Sequence, residues 1–268
     1  MFVTRLISGI VLVAAAIVLL YFGNVWLAVA LGILALIGGY ELLRVFHLEK
    51  HSFAAVLYSG IIAYDVLLFF GWTNWFMALL TLLLIVLLIL YVLRYPKYEI
   101  GQVAQTLFTF LYVGLLISYI YQTRMLTAGR WFVWLIIIGS WGSDTCAYVV
   151  GKIMGKHHFS ELSPKKTVEG CVGGVLGAAL IGVVFACFFP YPEMFYVDVR
   201  IAFALVVLVS AVISQFGDLA ASAIKRNYDI KDYGDIIPGH GGILDRFDSV
   251  LFVAPFVYYL LVLFSYIE

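Results

Sequence analysis

Charge is what this chain has least of. Only 12% of its 268 residues are charged and 64% are hydrophobic, where a soluble domain carries a charged share of about 25%. That shortage excludes a water-soluble globule and calls for the hydrocarbon core of a bilayer, which takes about 20 apolar residues per helical crossing. The formal net charge is zero, so no nucleic-acid-binding surface is expected. Cys146, Cys171 and Cys187 show no paired ligand spacing, which excludes a disulfide framework or a zinc site and leaves them as small apolar residues. No soluble domain, low-complexity tract or clear repeat interrupts the chain. The run from Met1 to Phe22 lacks an A-x-A cleavage site before a polar start, so it is expected to remain as a first span.

What is present is a series of about nine apolar runs: Leu6–Phe22, Val25–Phe46, Phe53–Phe70, Trp75–Val92, Val103–Tyr121, Trp131–Val150, Val172–Phe189, Ile201–Leu219 and Phe247–Ile267. Each is long enough to cross the hydrocarbon as a helix. The expected fold is therefore all-α, a single polytopic membrane domain over residues 1–268. Residues 1–125 hold the N-terminal helices and 126–268 the catalytic half. With the N-terminus in the cytoplasm and the runs alternating, only Arg124, Arg130 and Arg200 of the 16 Lys and Arg residues fall outside. This bias favours a cytoplasmic N-terminus and an external C-terminus in the plasma membrane. Two long polar cytoplasmic loops stand apart, 151–171 and 220–246, and long polar loops on one face point to function.

Ionisable groups inside a span are costly and are functional candidates. Four acids qualify: Glu41, Asp65, Asp144 and Asp218. At about 1.5 Å of rise per residue, Asp144 lies roughly 20 Å and Asp218 roughly 26 Å inward from the outer helix ends. Asp245 immediately precedes the last run, so all three approach the cytoplasmic side beside the polar loops. Asp65 falls in the outer half of its run, and Glu41 has Arg44 three residues on as a local partner. Clustered carboxylates repel unless a cation joins them, and hard oxygen donors suit Mg²⁺. The plainer alternative is that each aspartate pairs with a nearby Lys or Arg.

Basic and glycine-rich segments lie close by: Ser163-Pro164-Lys165-Lys166-Thr167, then Lys225-Arg226, Lys231, Pro238-Gly239-His240-Gly241-Gly242, and Asp245-Arg246. Glycine lets a backbone approach a ligand closely, and Lys and Arg contact phosphate. Together with the carboxylates they describe a site for a polyphosphate and its Mg²⁺. No G-x-x-x-x-G-K-[ST] sequence is present, so the site is not a P-loop. His240 reads either as a turn residue or as a ligand contact. Gly170, Gly173, Gly174 and Gly177 read as helix packing, and the aromatics Trp131 and Tyr258 as interfacial belt.

The segment Ser222-x-Ile224-Lys225-Arg226, four residues, then Lys231-Asp232-x-Gly234-x-x-Ile237-Pro238-x-His240-Gly241-Gly242-Ile243-x-Asp245-Arg246-Phe247-Asp248 resembles the complete signature of the phosphatidate cytidylyltransferases, also called CDP-diacylglycerol synthases. Ser143-Asp144-Thr145, Gly151-Lys152, Gly155-Lys156 and Ser163 to Gly170 are similar to a second family segment, and Gly217-Asp218-Leu219 precedes the signature as in the family. Many members have Glu where this chain has Ala221. The resemblance covers roughly the C-terminal half. It implies that CTP and phosphatidate, a membrane lipid, give CDP-diacylglycerol and pyrophosphate with a divalent cation, and that Asp218 and Asp245 are metal carboxylates beside a second, monovalent ion such as K⁺. Asp144 is then a further ligand or an orienter. Lys165, Lys166, Lys225, Arg226 and Arg246 share the remaining phosphate charge, and Ser163, Thr167, Lys231, His240, Gly241 and Gly242 hold the nucleotide. Oligomeric state is left open, a homodimer included. The rival readings are a CTP-dependent lipid kinase and an ion-coupled transporter. A CDP-alcohol transferase would need a D-G-x-x-A-R segment that the chain lacks.

Overall fold

The computed structural model describes residues 2–160, 162–237 and 241–265, with backbone alone for 2–8 and Lys165. The protein is an all-α polytopic membrane protein. Its helices are α1 (Phe2–Phe22), α2 (Asn24–Val45), α3 (Ser52–Phe69), α4 (Phe76–Leu93), α5 (Ile100–Met125), α6 (Gly129–Met154), α7 (Val168–Ala186), α8 (Val199–Asn227) and α9 (Leu244–Phe264). Among the described residues, α2 to α9 are each long and apolar enough to cross a membrane, and α1 carries a shorter apolar stretch, Gly9–Phe22. Each apolar run of the sequence therefore has its helix. Two helices contain one π-helical turn, Phe110–Leu115 in α5 and Ile138–Gly142 in α6.

Helix ends depart from the hydropathy boundaries on the polar side. α8 runs on to Asn227, and α9 begins at Leu244. Hydropathy marks where lipid ends, not where backbone hydrogen bonding ends. Lys225 and Arg226 in the last turn of α8 suit the negative end of the helix dipole. The helix then stops in a Schellman arrangement: Asp229 takes φ 52°, and Asp229 N–H and Ile230 N–H donate to Arg226 O and Lys225 O. The segment 151–171 is likewise no open loop. It holds the end of α6 and an antiparallel hairpin of β1 (His158–Ser160) and β2 (Ser163–Thr167). Thr167 caps α7, its Oγ1 accepting from Gly170 N–H at 3.1 Å.

The chain forms two compact units, Met1–Ser118 with Asp232–Asp245, and Tyr119–Lys231 with Arg246–Glu268. In the first, Leu42, Leu43, Phe53, Leu57, Ile61 and Leu87 are fully buried. Gly60 admits the Leu83 side chain, and Tyr64 Oη pairs with Ser118 Oγ at 3.1 Å. In the second, Phe132, Phe189, Phe195 and Phe203 form an aromatic cluster with ring centroids 5.2–6.3 Å apart. Trp131 joins it through Phe185 and Phe189, while Tyr258 packs against Tyr119.

Candidate active site

Small residues bring the helices of the second unit close enough to build a polar site. At Gly174 of α7 a Cβ would lie 2.8 Å from Ala147 Cβ and 2.9 Å from Ser143 O of α6. At Gly177 it would lie 2.9 Å from Cys146 Sγ, and at Gly173 2.5 Å from Val150 Cγ1. The glycine spacing in this helix is thus packing, as expected. α8 meets α9 at Gly217, where a Cβ would lie 2.9 Å from Asp248 O and 3.1 Å from Phe252 Cβ. These crossings leave Asp144 on α6, Asp218 on α8 and Asp248 on α9 within electrostatic reach of one another.

Lys166 of β2 supplies the counter-ion. Its Nζ lies 2.6 Å from Asp218 Oδ2, both side chains about one-quarter exposed, and it also acts on Asp144. Lys225 acts on Asp248. Asp144, Asp218 and Lys166 border a cavity of about 480 Å³ that also presents Lys152, Ser163, Thr167 and Gln215. Charge balances along its wall, two lysines against two aspartates. Thr167 contributes mainly as an architectural residue: besides capping α7, its Oγ1 would lie 3.0, 2.7 and 2.8 Å from a Cβ at Gly151, Gly155 and Gly170. Glu169, next to it, accepts from the N–H groups of Lys156 and His157 at 3.1 and 3.2 Å, and pairs with His157 Nδ1 at 2.5 Å. The start of α7 is thereby tied to the residues that lead into β1, closing the base of the hairpin.

The remaining expected site residues do not line this cavity. Arg226 is exposed in the last turn of α8 and Lys231 beyond its end, and Arg246 lies in the first turn of α9, its carbonyl accepting from Trp141 Nε1 at 3.4 Å. Asp245, Gly241 and Gly242 belong to the first unit. The Asp245 carboxylate, 8% exposed, accepts from Tyr233 N–H at 2.8 Å and Gly242 N–H at 3.0 Å through Oδ2. It is bound up in its own loop. For Lys165 only the backbone is described, and His240 lies outside the described residues. Asp65 faces Gly32, where a Cβ would lie 2.8 Å from its Oδ2.

Three residues escaped the sequence reading. Asp248 sits in the signature and inside the last apolar run, a position that could have found it. Gln215 precedes Asp218 by three residues on the same helix face, a spacing that could have found it. Its Nε2 donates to Cys171 O at 3.0 Å. Glu41 was assigned to Arg44. The structure corrects this: Arg44 is exposed, Glu41 is 1% exposed, and its two oxygens accept from Ile243 N–H and Leu244 N–H, each at 2.9 Å.

Comparison with known proteins places this geometry. The sequence profile of the cytidylyltransferase family matches residues 3–264. The phosphatidate cytidylyltransferase of Bacillus subtilis is 44% identical over 157 residues, 58% of this chain and 56% of that protein. That of Staphylococcus saprophyticus is 39% identical over 170 residues, 62% of each, and that of Synechocystis is 47% identical over 123 residues, 46% of this chain and 40% of that protein. The chain thus spans about three-fifths of the length of the first curated relatives it matches. With a match that runs almost from end to end and a carboxylate–lysine cavity among its membrane helices, the chain belongs to the cytidylyltransferase family.

Proposed function

We propose that this protein transfers the cytidylyl group of CTP to phosphatidate, giving CDP-diacylglycerol and pyrophosphate. The observation that carries the reading is the cavity among apolar helices in which Lys166 pairs with Asp218 and acts on Asp144. It offers ammonium groups to phosphates while the helices offer lipid to acyl chains. The relatives named phosphatidate cytidylyltransferase supply the substrate class.

The chemistry asks little of a general base. A phosphomonoester has a second pKa of about 6 and is mostly dianionic at neutral pH. One of its oxygens forms the new bond to the α-phosphorus of CTP, the α–β bridging bond breaks, and pyrophosphate leaves with the electron pair. The obstacle is the repulsion between two anions, so positioning and charge neutralisation carry the rate. Lys166 and Lys152 line the cavity and would take phosphate oxygens, with Lys225, Arg226, Lys231 and Arg246 on the flanking helix ends and loop. Ser163 on the cavity wall would add a neutral contact.

A divalent cation fits the donor set. Among the described residues no three Asp, Glu, His or Cys side chains form a closed cage. Mg²⁺ does not require one, because it is commonly held by one or two carboxylates, substrate phosphates and water. Asp144 and Asp218 on the cavity wall would offer hard oxygens, with Asp248 within electrostatic reach of both. Bound Mg²⁺ would supply charge neutralisation on the triphosphate and its leaving group. The charge distribution supports a cavity on the cytoplasmic side of the plasma membrane.

The test is product analysis. Purified protein with labelled CTP, phosphatidate and Mg²⁺ should yield a labelled nucleotide-lipid and pyrophosphate. A phosphorylated lipid with CDP would instead identify a CTP-dependent lipid kinase.

A further inference from the structure

Two lysines line the cavity of the second unit, and they are held differently. Lys166 Nζ is paired with Asp218 Oδ2 at 2.6 Å. Lys152 makes no ion pair among the described residues. Its Nζ instead lies 5.9 Å from the centre of the Tyr148 ring. Tyr148 is one turn earlier on α6, so the contact follows from the i, i+4 spacing. The ring quadrupole attracts an ammonium but carries no net charge to neutralise it. One cavity ammonium therefore has a carboxylate, and the other has none.

Their surroundings differ as well. Lys166 belongs to the hairpin, whereas Lys152 is exposed in the last turn of a membrane helix. Val149, three residues before Lys152, and Ile153, next to it, are exposed apolar side chains of that helix, and Tyr148 is 68% exposed. On the other side of Lys152 the helices close up: a Cβ at Gly151 would lie 3.5 Å from Gly170 Cα and 3.0 Å from Thr167 Oγ1. Lys152 and Tyr148 thus stand at the border between a polar cavity and an apolar helix face. A lysine in a last turn suits the helix dipole, and tyrosine is common at membrane interfaces. Neither habit requires both side chains to line one cavity. A ligand that fits both surfaces has an anionic head and an apolar tail.

We infer that Lys152, steadied by the Tyr148 ring, binds the phosphomonoester head of a diacyl lipid and leaves Lys166 to the triphosphate. The lipid's role as acceptor rests on the proposed cytidylyl transfer; the lipid contact does not. A phosphomonoester carries nearly two negative charges at neutral pH, and a phosphodiester lipid carries one at its phosphate. An ammonium without a carboxylate favours the more highly charged head.

The experiment titrates the full chain in detergent with labelled dioctanoyl phosphatidate, without CTP or Mg²⁺, and separately measures KM for both substrates. Lys152→Gln should weaken phosphatidate binding about tenfold or more, the scale of a lost hydrogen bond to a charged group. The KM for phosphatidate should rise by a similar factor, with the KM for CTP within about twofold. Tyr148→Leu should weaken binding about two- to fivefold, the scale of an exposed cation–π contact, and Tyr148→Phe, which keeps the ring face, by less. Dioctanoyl phosphatidylglycerol, a phosphodiester, should bind the wild type more weakly than phosphatidate does and lose less in Lys152→Gln. An equal loss for the two lipids would make Lys152 a general anchor for anionic lipid and overturns the inference. So does undiminished phosphatidate binding in Lys152→Gln, or a rise in the KM for CTP alone. If phosphatidate binds through Lys152 yet the wild type forms no CDP-diacylglycerol, the proposed transfer fails and the lipid contact stands. Should Lys152→Gln not insert, the difference between Tyr148→Leu and Tyr148→Phe decides by the same two readouts.

Discussion

Asp245 and Asp248 both lie in the opening turns of α9, three residues apart, and they are held in different ways. Asp245 has its Oδ2 filled by two backbone N–H groups. Asp248 lies within reach of Asp218, Asp144 and Lys225, where acids meet a lysine. The distinction was not legible in the sequence, because both carboxylates belong to one motif and nothing local says which one backbone donors will claim. Asp144 and Asp218 were legible, since an acid in an apolar run has few innocent explanations. We expect Asp248→Asn to lower kcat by about 10²–10³, the scale of losing one electrostatic contributor at a reacting centre, with thermal unfolding in detergent unchanged. Asp245→Asn should lower stability by about 1–3 kcal/mol by weakening two charge-assisted acceptances, so its melting temperature should fall together with activity. The reverse pattern would show that Asp245 faces the reaction and that Asp248 supports the fold.

At the scale of elements, apolar runs located each helix, because bilayer thickness sets their length. Their polar ends were out of reach. Thr167 capping α7, the Schellman stop after Asn227 and the hairpin tied by Glu169 all depend on backbone groups that hydropathy does not see. The crossings were half legible: the glycine series in α7 announced close packing, whereas Gly217 stood alone and gave no warning. Yet Gly217 is where α8 and α9 approach, directly beside Asp218. A side chain there must separate the helices, since its Cβ would already lie 2.9 Å from Asp248 O and 3.1 Å from Ser249 Cα. Gly217→Val is expected to cost about 1–3 kcal/mol through overpacking and to abolish activity in the protein that still folds. Phe203→Ala, in the aromatic cluster and fully buried, is the control. It should cost more, about 3–5 kcal/mol, yet leave turnover per folded molecule intact. Equal activity in the two variants would detach the α8–α9 crossing from the site.

For the molecule as a whole, the open matter is which way it faces. With a helix for every apolar run, alternate connections lie on alternate sides. The connections 46–51, 94–99, 155–167 and 228–243 hold most of the Lys and Arg residues that lie between spans, while Arg200 marks the opposite side at the start of α8. Retention of positive charge in the cytoplasm is our ground for proposing that the first set lies inside. CTP is a cytoplasmic nucleotide triphosphate that a bilayer does not pass, so the charge bias and the proposed substrate demand the same side for Lys166 and Asp218. The exposed residues Lys97 and Glu193 report the two sides. In a Cys187→Ser background, which removes the exposed native thiol, Glu193→Cys should react with a membrane-impermeant maleimide added to intact cells. Lys97→Cys should react only after permeabilisation. Labelling of Lys97→Cys from outside would invert the protein and leave its cavity facing away from CTP.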